Sequence, residues 1–339
     1  MKLTDFDYEL PTHFIAQRPV EPRDSSRLLV LDRSTGHISH RSFRDVLEYL
    51  NPGDTLVFNN SRVIPARLKG TIGEGDKHAE ILLLKQLDDK TWEALVRPGR
   101  RLPQGAYVRL TDGQGLETMA TVTGRHEDGT RIIEFSNPDA LESMGEMPLP
   151  PYIKARLEDR ERYQTIYSKI KGSAAAPTAG LHFTPGLLRE IKDRGINTAF
   201  VTLHIGLDTF QPVRAENPEH HKIHTEYGQV SAETAELLNG TKASGKRVIA
   251  VGTTSVRLVE AASQTGRTVP YAGQVGIFIL PGYSFKATDA MITNFHLPKS
   301  TLIMMVSAFA GRETILNAYE TAKTGGYRFF SFGDAMLIL

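Results

Sequence analysis

Two hydrophobic rhythms divide this chain. Toward both ends, short apolar runs alternate with stretches whose apolar positions return every three to four residues, the signature of strands feeding helices. On this pattern residues 25–32 predict a strand, 33–36 a turn, 42–50 a helix closed by Asn51-Pro52-Gly53, and 55–58 a buried strand. Later, helices are predicted at 186–194, 231–243, 255–263, 298–311 and 313–323. Strands are predicted at 199–203, 247–251, 276–280, 290–294, 327–330 and 336–339. The alternation implies a three-layer α/β sandwich.

Between 66 and 148 the rhythm changes to strict alternation in short segments: 67–72, 78–85, 91–96, 106–110, 117–123 and 131–135. Turns such as Gly73-Glu74-Gly75-Asp76 and Asp112-Gly113 separate them, and no helical period intervenes. The expected organisation is a discontinuous α/β catalytic domain, 1–65 with 149–339, and a small antiparallel β-barrel domain inserted at 66–148. Glycines 70, 73 and 75 lack the Lys-bearing helix that a phosphate loop requires. Residues 148–167 mix Lys154, Arg156, Arg160 and Arg162 with Glu158, Asp159 and Glu161, charges that largely cancel as on a solvated helix.

The candidate chemistry gathers at the ends of predicted strands. Residues 174–184 place three alanines before Pro177, Thr178, Gly180 and His182, small residues that keep the backbone open to a close neighbour. Thr184 is expected as the N-cap of a helix that Pro185 opens, which sets free N–H groups beside His182. A tightly packed loop with a satisfied buried histidine is the alternative. Asn59-Asn60-Ser61-Arg62 follows one strand, Gly252-Thr253-Thr254-Ser255 another, and Asn294 to Ser300, with His296 before Pro298, a third. Capped helices and plain turns are the alternatives there. His220, His221, His224 and Glu226 invite a metal reading, but zinc needs a third ligand and a helix that Asn217-Pro218 and Tyr227-Gly228 leave little room for. Arg97, Arg100 and Arg101 around Pro98-Gly99 form the clearest basic cluster, with a solvated loop as the competing reading.

Composition narrows the classes. The chain has 339 residues, 40% of them hydrophobic, enough for one large core and a smaller one. Its longest apolar run, 302–310, falls short of the roughly 20 residues that span a bilayer. The first ten residues carry Asp5, Asp7 and Glu9 and no apolar core, so a cytoplasmic protein is expected. With no cysteine, disulfides, thiolate zinc sites and iron–sulfur radical chemistry are excluded. A formal net charge of +1 neither favours nor excludes nucleic acid.

Several separated motifs point to one family. They include Ala175-Ala176-Pro177-Thr178-Ala179-Gly180-Leu181-His182-Phe183-Thr184, Leu203-His204-Ile205-Gly206, His221-Lys222-Ile223-His224-Thr225-Glu226-Tyr227 and Val251-Gly252-Thr253-Thr254-Ser255. Thr293-Asn294-Phe295-His296-Leu297-Pro298 and Tyr327-Arg328-Phe329-Phe330-Ser331-Phe332-Gly333-Asp334 follow. Near the start, Asp24-Ser25-Ser26-Arg27-Leu28 and Val57-Phe58-Asn59-Asn60-Ser61-Arg62 agree. In this order they resemble the S-adenosylmethionine:tRNA ribosyltransferase-isomerases of bacterial queuosine biosynthesis. Two positions depart from that pattern: Asp208 stands where a Gly is usual, and Leu280 where a Tyr is usual.

The resemblance implies transfer of the ribosyl part of S-adenosylmethionine to the aminomethyl group of a 7-deazaguanine wobble base in tRNA. The ribose is rearranged to an epoxycyclopentanediol, and adenine and methionine leave. S-adenosylmethionine is then a co-substrate, with no recycled cofactor, no metal and no membrane, and a monomer is expected. The sulfonium acidifies the ribose C5′ protons, so a neutral imidazole can remove one and another can protonate adenine. His182, His204 and His296 are the candidates, unranked, with Glu226 beside them. Pro177, Thr178, Gly180, Phe183, Asp208, Thr253, Thr254, Ser255, Asn294, Asn59 and Arg62 are the expected substrate-binding residues. Arg97, Arg100, Arg101, Lys154 and Arg156 are the expected contacts to the anticodon loop. A metal-dependent hydrolase and a non-catalytic RNA-binding protein are the competing classes.

Overall fold

The structure, a computed structural model, describes residues 1–127, 129–155, 157–206, 213, 215–221, 223 and 225–339. Asp208, Arg156 and His224 therefore lie outside the described residues. Residue contacts divide the chain into two units. One comprises Met1–Ser61, Pro151–Ile170 and Ala176–Leu339, the other Arg62–Pro150 with Lys171–Ala175.

The larger unit is built on a nine-stranded mixed sheet. Its strands lie in the order Tyr271–Val275, Glu226–Val230, Asn197–Leu203, Thr55–Asn59, Val248–Val251, Ala290–Asn294, Ala335–Ile338, Arg27–Leu31, Ile38–Ser42. Asn197–Leu203, Thr55–Asn59, Val248–Val251 and Ala290–Asn294 run parallel, so their C-terminal ends share one edge. Alternation sorts the side chains to two faces. Leu29, Leu31, Ala250, Met291, Met336 and Ile338 pack on one face under helices Thr301–Ala310 and Arg312–Thr324. Val57, Val201 and Leu203 continue that face under Ala232–Ala243 and Thr253–Ala262. Leu28, Val30, Leu56, Phe58, Ile249 and Ile292 pack on the other face beneath Phe43–Tyr49 and Pro185–Asp193. These are the three layers that the hydrophobic rhythm implied.

The smaller unit contains a closed barrel in the order Arg131–Phe135, Thr91–Arg97, His78–Gln86, Arg67–Ile72, Tyr107–Thr111, Glu117–Arg125, every neighbouring pair antiparallel. Inward positions such as Leu68, Ile81, Leu83, Val108, Leu110, Val122 and Ile133 fill it. Gly70 is a strand residue, not part of a phosphate loop. A Cβ there would stand 2.2 Å from the Arg109 carbonyl, so the two backbones approach closely. Among the described residues of 66–148 the longest helix is Leu141–Met144, four residues.

Five predicted elements differ. The 42–50 helix is a 3-10 helix, Phe43–Tyr49, whose Ser42 and Asp45 form a reciprocal cap over so short a span. The helix expected from Pro298 begins at Thr301, because Lys299 adopts φ 56° and Ser300 supplies the cap to Ile303 N–H. The strand expected at 276–280 lies earlier, at Tyr271–Val275. Its partner ladder ends at the pair Glu226 and Val275, so Ile279 is buried by its side chain alone. Residues 327–330 form no strand beyond one bridge between Ile15 and Phe329; their aromatic rings pack in the core instead. The charged 148–167 stretch holds only the 3-10 turn Arg160–Tyr163 as its helical element, among the described residues.

Glu260 ties two cleft-forming elements together. Its fully buried carboxylate sits near the end of helix Thr253–Ala262. It accepts from Lys286, Ala287 and Thr288 N–H at 2.9, 3.1 and 2.9 Å, and from Tyr283 O–H at 3.0 Å, in the segment that enters strand Ala290–Asn294. Glu260→Ala leaves several donors without a partner, and is expected to lower unfolding free energy by about 2–4 kcal/mol. Denaturant titration of the two proteins checks this, and an unchanged midpoint contradicts it.

Candidate active site

The parallel strand ends open into a cleft in the larger unit. About 610 Å³ of empty space lies between its walls, open solvent included. Ala176 to Ala179, Ile205, Gly252 to Thr254, Thr293 to Leu297, Ser300, Tyr152, Phe330 and Ser331 are among its walls. Two helix N-termini reach it. Gly252, at φ 88°, precedes Thr253–Ala262, and Ser300 caps Thr301–Ala310. Such ends present free N–H groups to anions.

His182 is fully buried and held on every side. Its Nδ1 lies 2.6 Å from Ser26 Oγ, and its Nε2 lies 3.2 Å from Arg23 Nη2 and 3.1 Å from Asn294 Nδ2. Phe43 stacks on the ring at 4.8 Å. A guanidinium can only donate, so Nε2 is the acceptor and Nδ1–H donates to Ser26. Burial, then the charges of Arg23 and Arg328, push its pKa well below the ordinary histidine value. Its neighbours are held as firmly: Thr184 caps Pro185–Asp193 at Leu187 N–H and donates to Asp24 Oδ2, as the sequence implied for the cap.

His296 lines the cleft itself. Its Nε2 is 2.7 Å from Thr293 Oγ1, its N–H donates to Tyr319 Oη at 2.9 Å, and its carbonyl accepts from Tyr8 O–H. Burial pushes its pKa down to about 3. His204 is half-buried, stacked on Tyr227 at 6.4 Å, and burial lowers its pKa as well. Its Nδ1 has no hydrogen-bond partner among the described residues. The adjacent Ile205, rather than His204, forms part of the cleft wall.

Glu226 is not a free carboxylate. Its Oε2 receives Arg257 Nη1 at 2.6 Å in a buried ion pair, and its Oε1 receives the Gly206 N–H at 2.9 Å, which anchors the backbone just after His204. Of the expected binding residues, Pro177, Thr178, Thr253, Thr254 and Asn294 line the cleft. Gly180, Phe183, Ser255 and Asn59 do not. A Cβ at Gly180 would meet Tyr167 Oη at 1.9 Å, Phe183 packs edge-on against Phe43 and Phe58, and Ser255 Oγ donates to the Val251 carbonyl. Asn59 joins two strand ends, donating to the Leu203 carbonyl and accepting from Leu203 N–H. Arg62 belongs to the smaller unit. Sequence reasoning gave no role to Arg23, Ser26, Tyr152, Ile205, Phe330 or Ser331. Ser26, Ile205, Phe330 and Ser331 stand inside the quoted motifs, which was the available signal.

Arg97, Arg100 and Arg101 are exposed around the turn Gly99–Arg101. Buried Arg131 braces it, donating to the Leu102 and Gly99 carbonyls at 3.0 Å each. Lys154 is exposed in the larger unit. Among the described residues no cluster of three or more His, Asp or Glu has the geometry of a metal site, and no helix is long and apolar enough to cross a membrane.

The family model described as "Queuosine biosynthesis protein" matches residues 3–338. The S-adenosylmethionine:tRNA ribosyltransferase-isomerases of Clostridium kluyveri and Clostridioides difficile are 53% and 54% identical over 343 residues, spanning 100% of both chains in each case. The solved S-adenosylmethionine tRNA ribosyltransferase of Thermotoga maritima is 42% identical, with a TM-score of 0.58, over 99% of this chain and 100% of that one.

The low pKa of His296 has a consequence for acid stability. The unfolded imidazole titrates near ~6.5, so between that pH and about 3 the unfolded state binds more protons than the folded one. Stability is therefore fully present above the unfolded pKa and is lost as pH falls through this window. His296→Gln, which cannot charge, is expected to show a shallower fall of the unfolding midpoint from about pH 7 to about pH 4. Parallel pH profiles contradict this.

Proposed function

The chain belongs to the queuosine biosynthesis family of S-adenosylmethionine:tRNA ribosyltransferase-isomerases, and from that premise we propose that it moves and isomerises the ribosyl group of S-adenosylmethionine onto the 7-aminomethyl-7-deazaguanine wobble base of tRNA. The product is epoxyqueuosine-tRNA, with adenine and methionine released. The observation that carries this reading is that residues 176–179, 252–254 and 293–297, drawn from three motifs far apart in the chain, line a single cleft at the parallel strand ends.

In that cleft the N-termini of Thr253–Ala262 and Thr301–Ala310 suit the methionine carboxylate, and Phe330 in the wall offers an aromatic face to the sulfonium. Phe183, buried in the core, is less suited to that task. His296 in the wall and His204 beside it are the proton-transfer candidates. Their lowered pKa values keep them neutral at pH 7, the form a C5′ proton can be passed to, and the value of about 3 makes His296 a weak base in the free protein. An imidazole that has taken that proton becomes an acid able to protonate departing adenine. Glu226, committed to Arg257 and Gly206, is proposed to hold the loop after His204 rather than to move protons.

Arg97, Arg100, Arg101 and Lys154 are proposed phosphate contacts for the anticodon stem-loop; Arg156 and Asp208 keep only their sequence-based assignments. The barrel unit is proposed as an RNA-gripping domain, and the whole as a metal-independent monomer acting in the cytoplasm, where its tRNA substrate resides. Incubation with S-adenosylmethionine and tRNA bearing the aminomethyl base is expected to release one adenine per base modified. Absence of adenine, with tRNA still bound, contradicts the reading and favours an RNA-binding protein.

A further inference from the structure

The buried polar residues behind the cleft form a one-way hydrogen-bond chain. Arg23, 7% exposed, donates from Nη2 to His182 Nε2, and both its terminal nitrogens lie within 3.5 Å of the Gly333 carbonyl. Burial, and after it the nearby Arg328, lower the Arg23 pKa to about 9, which leaves the guanidinium charged at pH 7. It therefore remains a pure donor. With Nε2 obliged to accept, the Asn294 side chain must turn its NH2 toward His182, at 3.1 Å, with the Asp334 carbonyl as a second acceptor at 3.5 Å. Its Oδ1 then faces Thr178, whose only hydroxyl proton is donated to that oxygen at 2.9 Å. Asn294 and Thr178 both line the cleft.

We propose that Arg23 and Ser26 are positioning residues which, through the tautomer of His182, fix Asn294 and Thr178 as an acceptor-only subsite for an N–H or O–H donor on the nucleoside part of the substrate. Thr178 has spent its proton, and the Asn294 amide has spent its N–H groups, so only lone pairs are left to face a ligand. Reversal of the His182 tautomer would turn the Asn294 amide over and present donors instead. His182 thus sets the polarity of the subsite and takes no part in proton transfer. This rests on the reading that S-adenosylmethionine occupies the cleft, and it assigns what that reading leaves open: how the nucleoside is told from analogues of the same shape. A site of this kind rejects an analogue lacking the donor strongly, because its buried acceptors are left unpaired.

Two measurements on the intact protein decide it. The first is the 1H–15N spectrum of the His182 ring in uniformly labelled protein. The wild type and the charge-preserving Arg23→Lys are expected to show the Nδ1–H tautomer, and Arg23→Met a population protonated at Nε2. An imidazolium or an Nε2–H tautomer in the wild type overturns the proposal, whether or not the protein turns over substrate. The second compares binding of S-adenosylmethionine with that of its 2′-deoxy, 3′-deoxy and 6-desamino analogues. In the wild type at least one analogue is expected to bind at least about 10-fold more weakly. In Arg23→Met, with the fold verified by circular dichroism, that discrimination is expected to shrink to within about 3-fold, and KM to rise more than kcat falls. Arg23→Lys is expected to restore it. Equal binding of all three analogues and the parent by the wild type, or undiminished discrimination in Arg23→Met, overturns the subsite. Adenine release by the wild type separately tests the function on which it rests.

Discussion

The arrangement depends on one buried imidazole that is not allowed to charge. His182 stands where Asp24-Ser25-Ser26-Arg27-Leu28, residues 174–184, residues 293–298 and residues 327–334 meet. Its ring bridges Ser26, Arg23 and Asn294. A burial this complete is tolerable only because both ring nitrogens have partners. The same meeting point is fixed by Asp334, whose carboxylate accepts from the Arg27 and Arg328 N–H groups at 2.9 and 2.8 Å. The bonds share atoms, with His182 Nε2 accepting from both Arg23 and Asn294 and the Asn294 amide also reaching the Asp334 carbonyl, so the cluster acts as a unit.

From that anchor the cleft is assembled by strand geometry. Four parallel strands end along one edge, and two of the segments leaving them, at Gly252 and at Asn294, run into helices whose first turns face the cleft. The rigid wall at His182 and the Glu260 clamp fix where those segments begin. His296 and His204, the proposed proton-transfer residues, follow strands Ala290–Asn294 and Asn197–Leu203 at that same edge. Environment divides the three histidines: one is locked by strong partners, one is in the wall against a threonine, and one is half-exposed with a free nitrogen among the described residues.

Much of this was legible in the sequence, for physical reasons that differ by region. The barrel announced itself because each strand has one buried and one wet face, giving strict alternation, and because Gly and Asp mark its turns. The Thr184 and Pro185 helix start was legible because capping is local chemistry. The two edge strands, and the strand beside one of them, were not. Ile38–Ser42, Glu226–Val230 and Tyr271–Val275 carry Gly228, Gly273, Gln229, Gln274 and exposed polar residues, so they lack the apolar run of a central strand. The aromatic run at 327–330 looked like a strand and is core packing. The motifs located the site, but the roles of its histidines depend on burial and on partners such as Arg23, more than a hundred residues away in sequence. No local pattern encodes that.

S-adenosylmethionine is proposed to bind at the parallel strand ends of the larger unit, against the wall that His182 holds. Hydrogen–deuterium exchange with and without S-adenosylmethionine addresses it most directly. Protection is expected in residues 176–183, 252–256 and 293–301, with the barrel strands unchanged. Protection confined to the barrel, or absent from all three segments at saturating ligand, would contradict that placement.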